Sequence, residues 1–157
     1  MSFRLLPGAE KLPSDRHCLN DYPALLAQAQ KGLARRREAY PQLVAKGDMT
    51  DAEASSDIAA WVLLAAEWTW LTSGEGTPPL AHTLADRLEA VDLALKRVDA
   101  GLRRRPRDAA LCEQQDLILA MRWHLTHLRY GVPACHFWAE LTHEARQAAA
   151  PAPRAAA

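Results

Sequence analysis

The segment "HLTHLRYGVPACHFWAELTH" carries the residues best suited to metal chemistry, because it holds four of the six histidines and one cysteine. His124 and His127 are three residues apart and therefore share one helix face. With His136 from the next element, such a pair could bind zinc or another transition metal. However, no H-E-x-x-H motif and no carboxylate at a matching spacing accompanies the pair. We therefore predict that the protein binds no metal or other cofactor, and keep these three histidines as the alternative metal site.

Two arginine clusters could contact phosphate groups, because clustered arginines make bidentate hydrogen bonds and release counterions. The residues of this alternative nucleic-acid site are Arg35, Arg36, Arg37, Arg103, Arg104, Arg105 and Arg107. Three observations weigh against it. The chain has nineteen basic and nineteen acidic residues, the second cluster suits the negative end of a helix dipole, and the helix following the first cluster begins with the acidic segment "DAEASSD".

Tryptophan is unusually frequent, with five residues in the chain. Trp61 and Trp68 share an apolar stripe and are predicted to be core residues, whereas Trp70 and Trp123 fall outside the stripes of their helices. Large aromatic residues outside the core are enriched where proteins meet partners. The predicted partner-binding residues are Trp70, Trp123, Trp138, Arg36 and Arg37.

Catalytic motifs are missing from the sequence. It contains no G-x-S-x-G nucleophile segment, no glycine-rich phosphate loop and no cysteine–histidine signature. We therefore predict a protein that is not an enzyme.

The elements that position these residues are predicted to be helices, because good helix formers dominate and sustained period-2 alternation is missing. The expected fold is an all-α, single-domain bundle of four to five helices. We place the bundle at residues 21–148, an irregular lead-in at 1–20, and a disordered Ala/Pro-rich tail at 149–157.

Helix boundaries can be read from capping residues and breakers. Asp21 can cap the first helix, Pro41 should bend or interrupt it, and Gly47 can end it. Thr50 and Glu53 form a capping box for the second helix, which "TSGEGTPP" ends.

The third and fourth helices, at about 79–105 and 108–130, are predicted to form an antiparallel hairpin, because their connection is short. Along the third helix, an apolar seam alternates spacings of four and three and could serve either the bundle or a homodimer. The seam comprises Leu84, Leu88, Val91, Leu95, Val98 and Leu102. A last helix is predicted to hold Phe137, Leu141 and Ala145.

The totals place the chain among ordinary globular proteins. It has 157 residues, of which 49% are hydrophobic and 24% charged. The three cysteines are widely spaced, and no apolar run is long enough for a membrane span or a secretory signal. We therefore expect a cytoplasmic location and no membrane partner.

Residues 35–70 resemble a pattern that recurs in small helical proteins of bacteriophages and prophages. The matching residues are Arg36, Tyr40, Pro41, Val44, Gly47, Thr50, Glu53 and Ile58. The resemblance covers less than a quarter of the chain, carries no catalytic residue and has no counterpart in residues 79–157. It implies a phage, prophage or other mobile element in a bacterial host.

These observations lead to one functional expectation and two alternatives. Small helical proteins from such a setting commonly bind a host protein, so we expect a non-enzymatic inhibitor of a bacterial defence, of the anti-CRISPR type, or of a regulatory system. The alternatives are a nucleic-acid-associated protein that uses the arginine clusters and a metal-binding protein that uses the histidines.

Overall fold

The computed structural model describes residues 12–151 and 153. Five α-helices and one short β-hairpin make up most of this part, which confirms the predicted all-α bundle. The elements are α1 (Tyr22–Ala45), α2 (Asp51–Ser73), α3 (Leu84–Arg104), α4 (Ala109–Thr126), β1 (Leu128–Arg129), β2 (Val132–Pro133) and α5 (Ala134–Ala149). None of the helices within this range has an 18-residue stretch that is apolar enough to cross a membrane.

The hairpin of α1 and α2 begins and turns where the sequence indicates. Asp21 accepts a hydrogen bond from the backbone at the start of α1, and Gly47 follows its end with a φ of +78°. Thr50 and Glu53 form the predicted capping box, with each side chain bonded to the other's backbone amide. The basic segment therefore lies within α1, and the glycine turn that follows it connects two antiparallel helices.

Pro41 does not interrupt α1, although the sequence favoured a bend or a break there. The helix continues through this proline to Ala45. Tyr40 explains the continuity, because its side chain is buried and hydrogen-bonded to Asp57 on α2. Tertiary contacts next to the proline thus offset the loss of one backbone hydrogen bond.

The hairpin of α3 and α4 has the predicted antiparallel arrangement but shorter helices. Gln115 donates to Asp99 at 2.6 Å, and Arg122 donates to Asp92 at 2.7 Å. Because the later residue of α4 pairs with the earlier residue of α3, the two helices run antiparallel. The prediction of about 79–105 and 108–130 was too long at two ends, because a 3₁₀ turn at Ala81–Thr83 precedes α3 and α4 ends at Thr126.

The β-hairpin between α4 and α5 was not predicted. Tyr130 and Gly131 form its turn with φ values of +52° and +76°. Positive φ at both central residues is typical of a type I′ turn, which matches the twist of paired strands. Gly131 is a turn signal that is visible in the sequence. However, strands of two residues are too short to show the alternation of apolar and polar residues by which strands are recognised.

The two ends of the chain are described in part. Arg16–Asn20 form a 3₁₀ helix whose Cys18 and Leu19 pack against the core, so the predicted irregular lead-in contains structure. Residues 1–11 lie outside the described part. Helix α5 extends to Ala149, and the predicted tail falls largely on residues 152 and 154–157, which also lie outside it.

One hydrophobic core joins all five helices and includes Trp61 and Trp68, as predicted. Trp61 packs directly on Gly32 of α1. A Cβ atom added to Gly32 would lie 2.5 Å from Cζ3 of the buried indole. The close approach of α1 and α2 therefore requires glycine at this position.

We expect Gly32→Ala to destabilise the protein by about 1–2 kcal/mol. Overpacking a rigid buried ring costs roughly 1–3 kcal/mol, which outweighs the gain in helix propensity of up to about 1 kcal/mol. Urea unfolding measures the difference. Gly101→Ala is the matched control, because its Cβ would meet only the flexible end of Leu111 at 3.2 Å. A Gly32→Ala protein as stable as the unmodified chain would contradict the expectation.

Candidate functional site

The largest exposed apolar side chains outside the core are concentrated on the β-hairpin and the first turns of α5. Tyr130 is 93% exposed and Trp138 is 60% exposed. Leu80, which is 67% exposed, lies apart from them on the α2–α3 connection. We call the following set the aromatic surface: Leu128, Tyr130, Phe137, Trp138 and Leu141.

Arg129 links the hairpin part of the aromatic surface to its helical part. Its guanidinium lies 4.1 Å from the ring centroid of Phe137 and 5.7 Å from that of Tyr130. The rings of Phe137 and Trp138 meet edge to face, with centroids 5.3 Å apart. Leu141 lies one helical turn after Phe137. The three rings of the surface are therefore connected to one another through Arg129, which adds a positive charge.

The backbone under the aromatic surface is firmly anchored. The amide of Ala134 donates to the carbonyl of His127 at 2.9 Å and closes the base of the hairpin. Pro133 is fully buried, and Cys135 and Ala139 insert into the core on the inner face of α5. The backbone that carries the exposed rings is thus fixed by the fold, so less backbone ordering is needed on binding.

The large apolar residues of the last helix do not face the core. Phe137 and Leu141 are both exposed. The buried face instead consists of Cys135, His136 and Ala139. The polar or small residues of α5 face inward because the core beside them contains a charged group, Glu67 of α2.

Of the three tryptophans predicted to bind a partner, Trp138 lies on the exposed aromatic surface. Trp70 is half-buried against the core, where its ring contacts those of His136 and His143. Trp123 is half-buried and stacks on His127 with centroids 3.9 Å apart.

The arginines predicted as binding residues separate into three environments. Arg36 is only 9% exposed and donates to Asp57 at 2.7 Å, which corrects its assignment to a partner or nucleic-acid surface. Arg35 and Arg37 are exposed on α1. The second cluster, comprising Arg103, Arg104, Arg105 and Arg107, is exposed around the α3–α4 turn.

The second arginine cluster and the aromatic surface lie at opposite ends of α4. The cluster precedes the first residue of this 18-residue helix, and the β-hairpin follows its last. At 1.5 Å per residue, the helix separates them by about 27 Å. A partner of ordinary interface size that covers the aromatic surface would therefore leave the arginine cluster free.

The histidines proposed as an alternative metal site are bonded to separate groups. His124 donates to the carbonyl of Leu19 at 2.6 Å, and His127 donates to the carbonyl of Trp123 at 2.6 Å. Burial lowers the pKa of His124, which keeps its imidazole neutral. Among residues 12–151, no three His, Cys, Asp or Glu side chains are grouped so that they could hold a metal ion.

His136 belongs to a buried charge network that the sequence did not reveal. Its Nε2 donates to Oε1 of Glu67 at 2.6 Å, and Arg87 donates to the same oxygen at 2.5 Å. We call Glu67, Arg87 and His136 the buried triad. Burial and the nearby Glu67 charge raise the pKa of Cys135 to about 12, so this thiol is protonated and unreactive.

A second network connects α1, α2 and α3. Asp57 accepts hydrogen bonds from Arg36 and from the hydroxyl of Tyr40, and Arg97 donates to that hydroxyl at 2.6 Å. Arg36 also lies over the ring of Trp61 at 4.0 Å. Arg36 and Tyr40 belong to the pattern that resembles phage proteins, and here both of them hold α1 against α2.

Comparisons of the chain with protein-family models, with curated proteins and with solved structures found no match.

Proposed function

We propose that the protein is a non-enzymatic helical binding protein whose aromatic surface docks on another protein. The single observation that carries this proposal is the contiguous, anchored set of exposed rings around Arg129. Exposed apolar patches of this kind mark interaction sites in folded proteins. The resemblance of residues 35–70 to phage proteins supports a bacterial host protein as the partner, and inhibition of a defence or regulatory system as the effect.

The chemistry of the aromatic surface favours a particular type of partner. Aromatic side chains contribute most to binding when they enter apolar pockets and are shielded from water. Arg129 adds a positive charge among the rings, so a matching partner carries an apolar groove with an acidic residue beside it. Tyr130 and Trp138 also have polar groups that can bond at the rim of such a groove.

The interior of the described chain supports binding rather than catalysis. Asp57 and Glu67, its buried carboxylates, are each bonded to arginine. His124 and His136 are each bonded through Nε2. These groups join helices to one another and to the lead-in.

Replacing two rings of the aromatic surface should abolish partner capture. We expect Phe137→Ser/Trp138→Ser to weaken binding at least about tenfold, because central aromatic residues contribute about 2 kcal/mol or more to an interface. The measurement is affinity capture from a bacterial host lysate after nuclease treatment, at low and high salt, followed by calorimetry with the purified partner. Both side chains are exposed, so unchanged thermal unfolding should accompany the loss.

Val62→Ser/Leu93→Ser is the matched control, because both residues are exposed apolar side chains on other helices. Equal capture by the two double variants would refute the aromatic surface as the binding site. Recovery of nucleic acid alone, and only at low salt without nuclease, would favour the arginine clusters instead. If the aromatic variant dissociates a homodimer in sedimentation experiments, the partner is a second copy of the chain.

A further inference from the structure

The outer face of α5 is bulky and apolar in its first half and small in its second half. Phe137, Leu141 and Ala145 follow one another at intervals of four residues, so they share this face. Phe137 is 38% exposed, Leu141 is 45% exposed, and Ala145 is exposed as well. The side chains along the face therefore shrink from a ring to a leucine and then to a methyl group.

The charges on this face are also separated along the helix. Arg129 of the β-hairpin lies 4.1 Å from the ring centroid of Phe137, at the beginning of α5. Glu144 lies seven residues after Phe137, so it is on the same face, and it is exposed. Neither Arg129 nor Glu144 forms an ion pair with another residue in the part of the chain that the structure describes. The bulky half thus has a positive charge beside it, and the small half has a negative charge.

A second copy of α5 that runs antiparallel to the first complements both features. With a two-fold axis at Leu141, Phe137 lies opposite Ala145 of the partner subunit, because each is four residues, about 6 Å, from the axis. Glu144 is three residues beyond Leu141 and comes to the level of the partner's Arg129, which covers the partner's Phe137. Parallel helices would instead place ring against ring and carboxylate against carboxylate.

We propose that, without a host protein, the aromatic surface pairs with that of a second copy of the chain through antiparallel α5 helices. Each dimer contains two rings packed on alanines and two ion pairs between Arg129 and Glu144 of the partner subunit. The proposal rests on the proposed function, because both use the aromatic surface, and it adds that a host protein must displace the second copy. One helix and one hairpin from each copy make a small interface, so the dimer is weak and reversible.

Sedimentation equilibrium of the full chain between about 10 µM and about 1 mM tests the pairing. We expect a monomer–dimer equilibrium with a Kd of about 100 µM or tighter. Arg129→Glu and Glu144→Arg should each weaken self-association at least about tenfold, because each change places like charges opposite one another at both ion-pair sites. Both side chains are on the surface, so thermal unfolding should be unchanged. A chain that stays monomeric over the whole range would overturn the proposal.

Mixing the two variants distinguishes this interface from any other. Arg129→Glu brings only acidic groups to the two ion-pair sites, and Glu144→Arg brings only basic groups. Association of the mixture should therefore return to within about threefold of the unmodified chain. Arg146→Glu is the matched control, because Arg146 is exposed on α5 but lies about 200° around the helix from Glu144. A mixture that associates no better than the single variants, or an equal loss in the control, would refute the antiparallel pairing.

Host capture by the Glu144→Arg variant separates this inference from the proposed function. Glu144 is outside the aromatic surface, so this variant should capture the host protein at least as well as the unmodified chain does. Phe137→Ser/Trp138→Ser should instead lose both interactions. A dimer without host capture would refute only the host partner, and host capture by a chain that is always monomeric would refute only the dimer.

Discussion

Glu67→Leu should lower the free energy of unfolding by about 3–5 kcal/mol, the range found when one partner of a buried ion pair is removed. The side chains of Arg87 and Glu67 are 1% and 2% exposed. Without the carboxylate, Arg87 retains only a hydrogen bond of 3.3 Å to the hydroxyl of Thr83. His136 loses its acceptor as well. The melting temperature should fall by roughly 10 °C, measured by calorimetry and urea unfolding.

A second substitution separates the loss of charge balance from the loss of packing. Adding Arg87→Met to Glu67→Leu removes the uncompensated cation and should restore most of the lost stability. Glu89→Ala, at an exposed position on α3, is the matched control and should change stability by no more than about 0.5 kcal/mol. A loss below about 1 kcal/mol for Glu67→Leu alone would contradict the buried triad.

Asp57→Ala should produce the second-largest loss, about 3 kcal/mol. This change leaves the guanidinium of Arg36 buried between α1 and α2 without its carboxylate. Tyr40 loses the same acceptor, although Arg97 still donates to its hydroxyl. Asp57→Asn should cost less, because the amide oxygen can still accept one of these hydrogen bonds.

Urea unfolding of both Asp57 variants measures the effect. Asp86→Ala removes an exposed carboxylate from α3 and should unfold within about 0.5 kcal/mol of the unmodified protein. If Asp57→Ala and Asp86→Ala are equally stable, the interaction of Asp57 with Arg36 does not hold the hairpin together.

The buried triad explains how α5 is held against the bundle although its largest apolar side chains are exposed. The buried triad joins α2, α3 and α5 through a single oxygen of Glu67. Helix α5 is thereby fixed by a charged contact on its inner face, which leaves Phe137 and Trp138 for the outer face. Stability and the proposed binding therefore involve different residues of the same helix, and the corresponding variants can be measured independently.

The separation of the arginines from the aromatic surface bears on the alternative functions. A nucleic-acid site would use Arg103, Arg104, Arg105 and Arg107 at the α3–α4 turn, where Arg105 is paired with Asp108. The proposed protein contact uses the other end of α4. The nuclease and salt arms of the capture experiment therefore report on two distinct surfaces.

The sequence by itself determined the class of fold and most helix ends. Helix propensity and apolar periodicity depend on neighbouring residues, and caps act within one turn. Asp21 and Thr50 with Glu53 consequently cap helices as predicted. The core positions of Trp61 and Trp68 follow from the same local spacing.

Only the tertiary structure decided which polar residues are buried and which apolar residues are exposed. Glu67 ends an apolar run and Arg36 stands in an arginine cluster, and neither local pattern shows that a partner from a distant segment will neutralise the charge. Glu67 is bonded to Arg87, which is twenty residues away in the sequence, and to His136, which is sixty-nine residues away. The exposure of Phe137 and Leu141 has the same origin. The face that a helix buries is set by what packs against it, and α5 packs against a charged group.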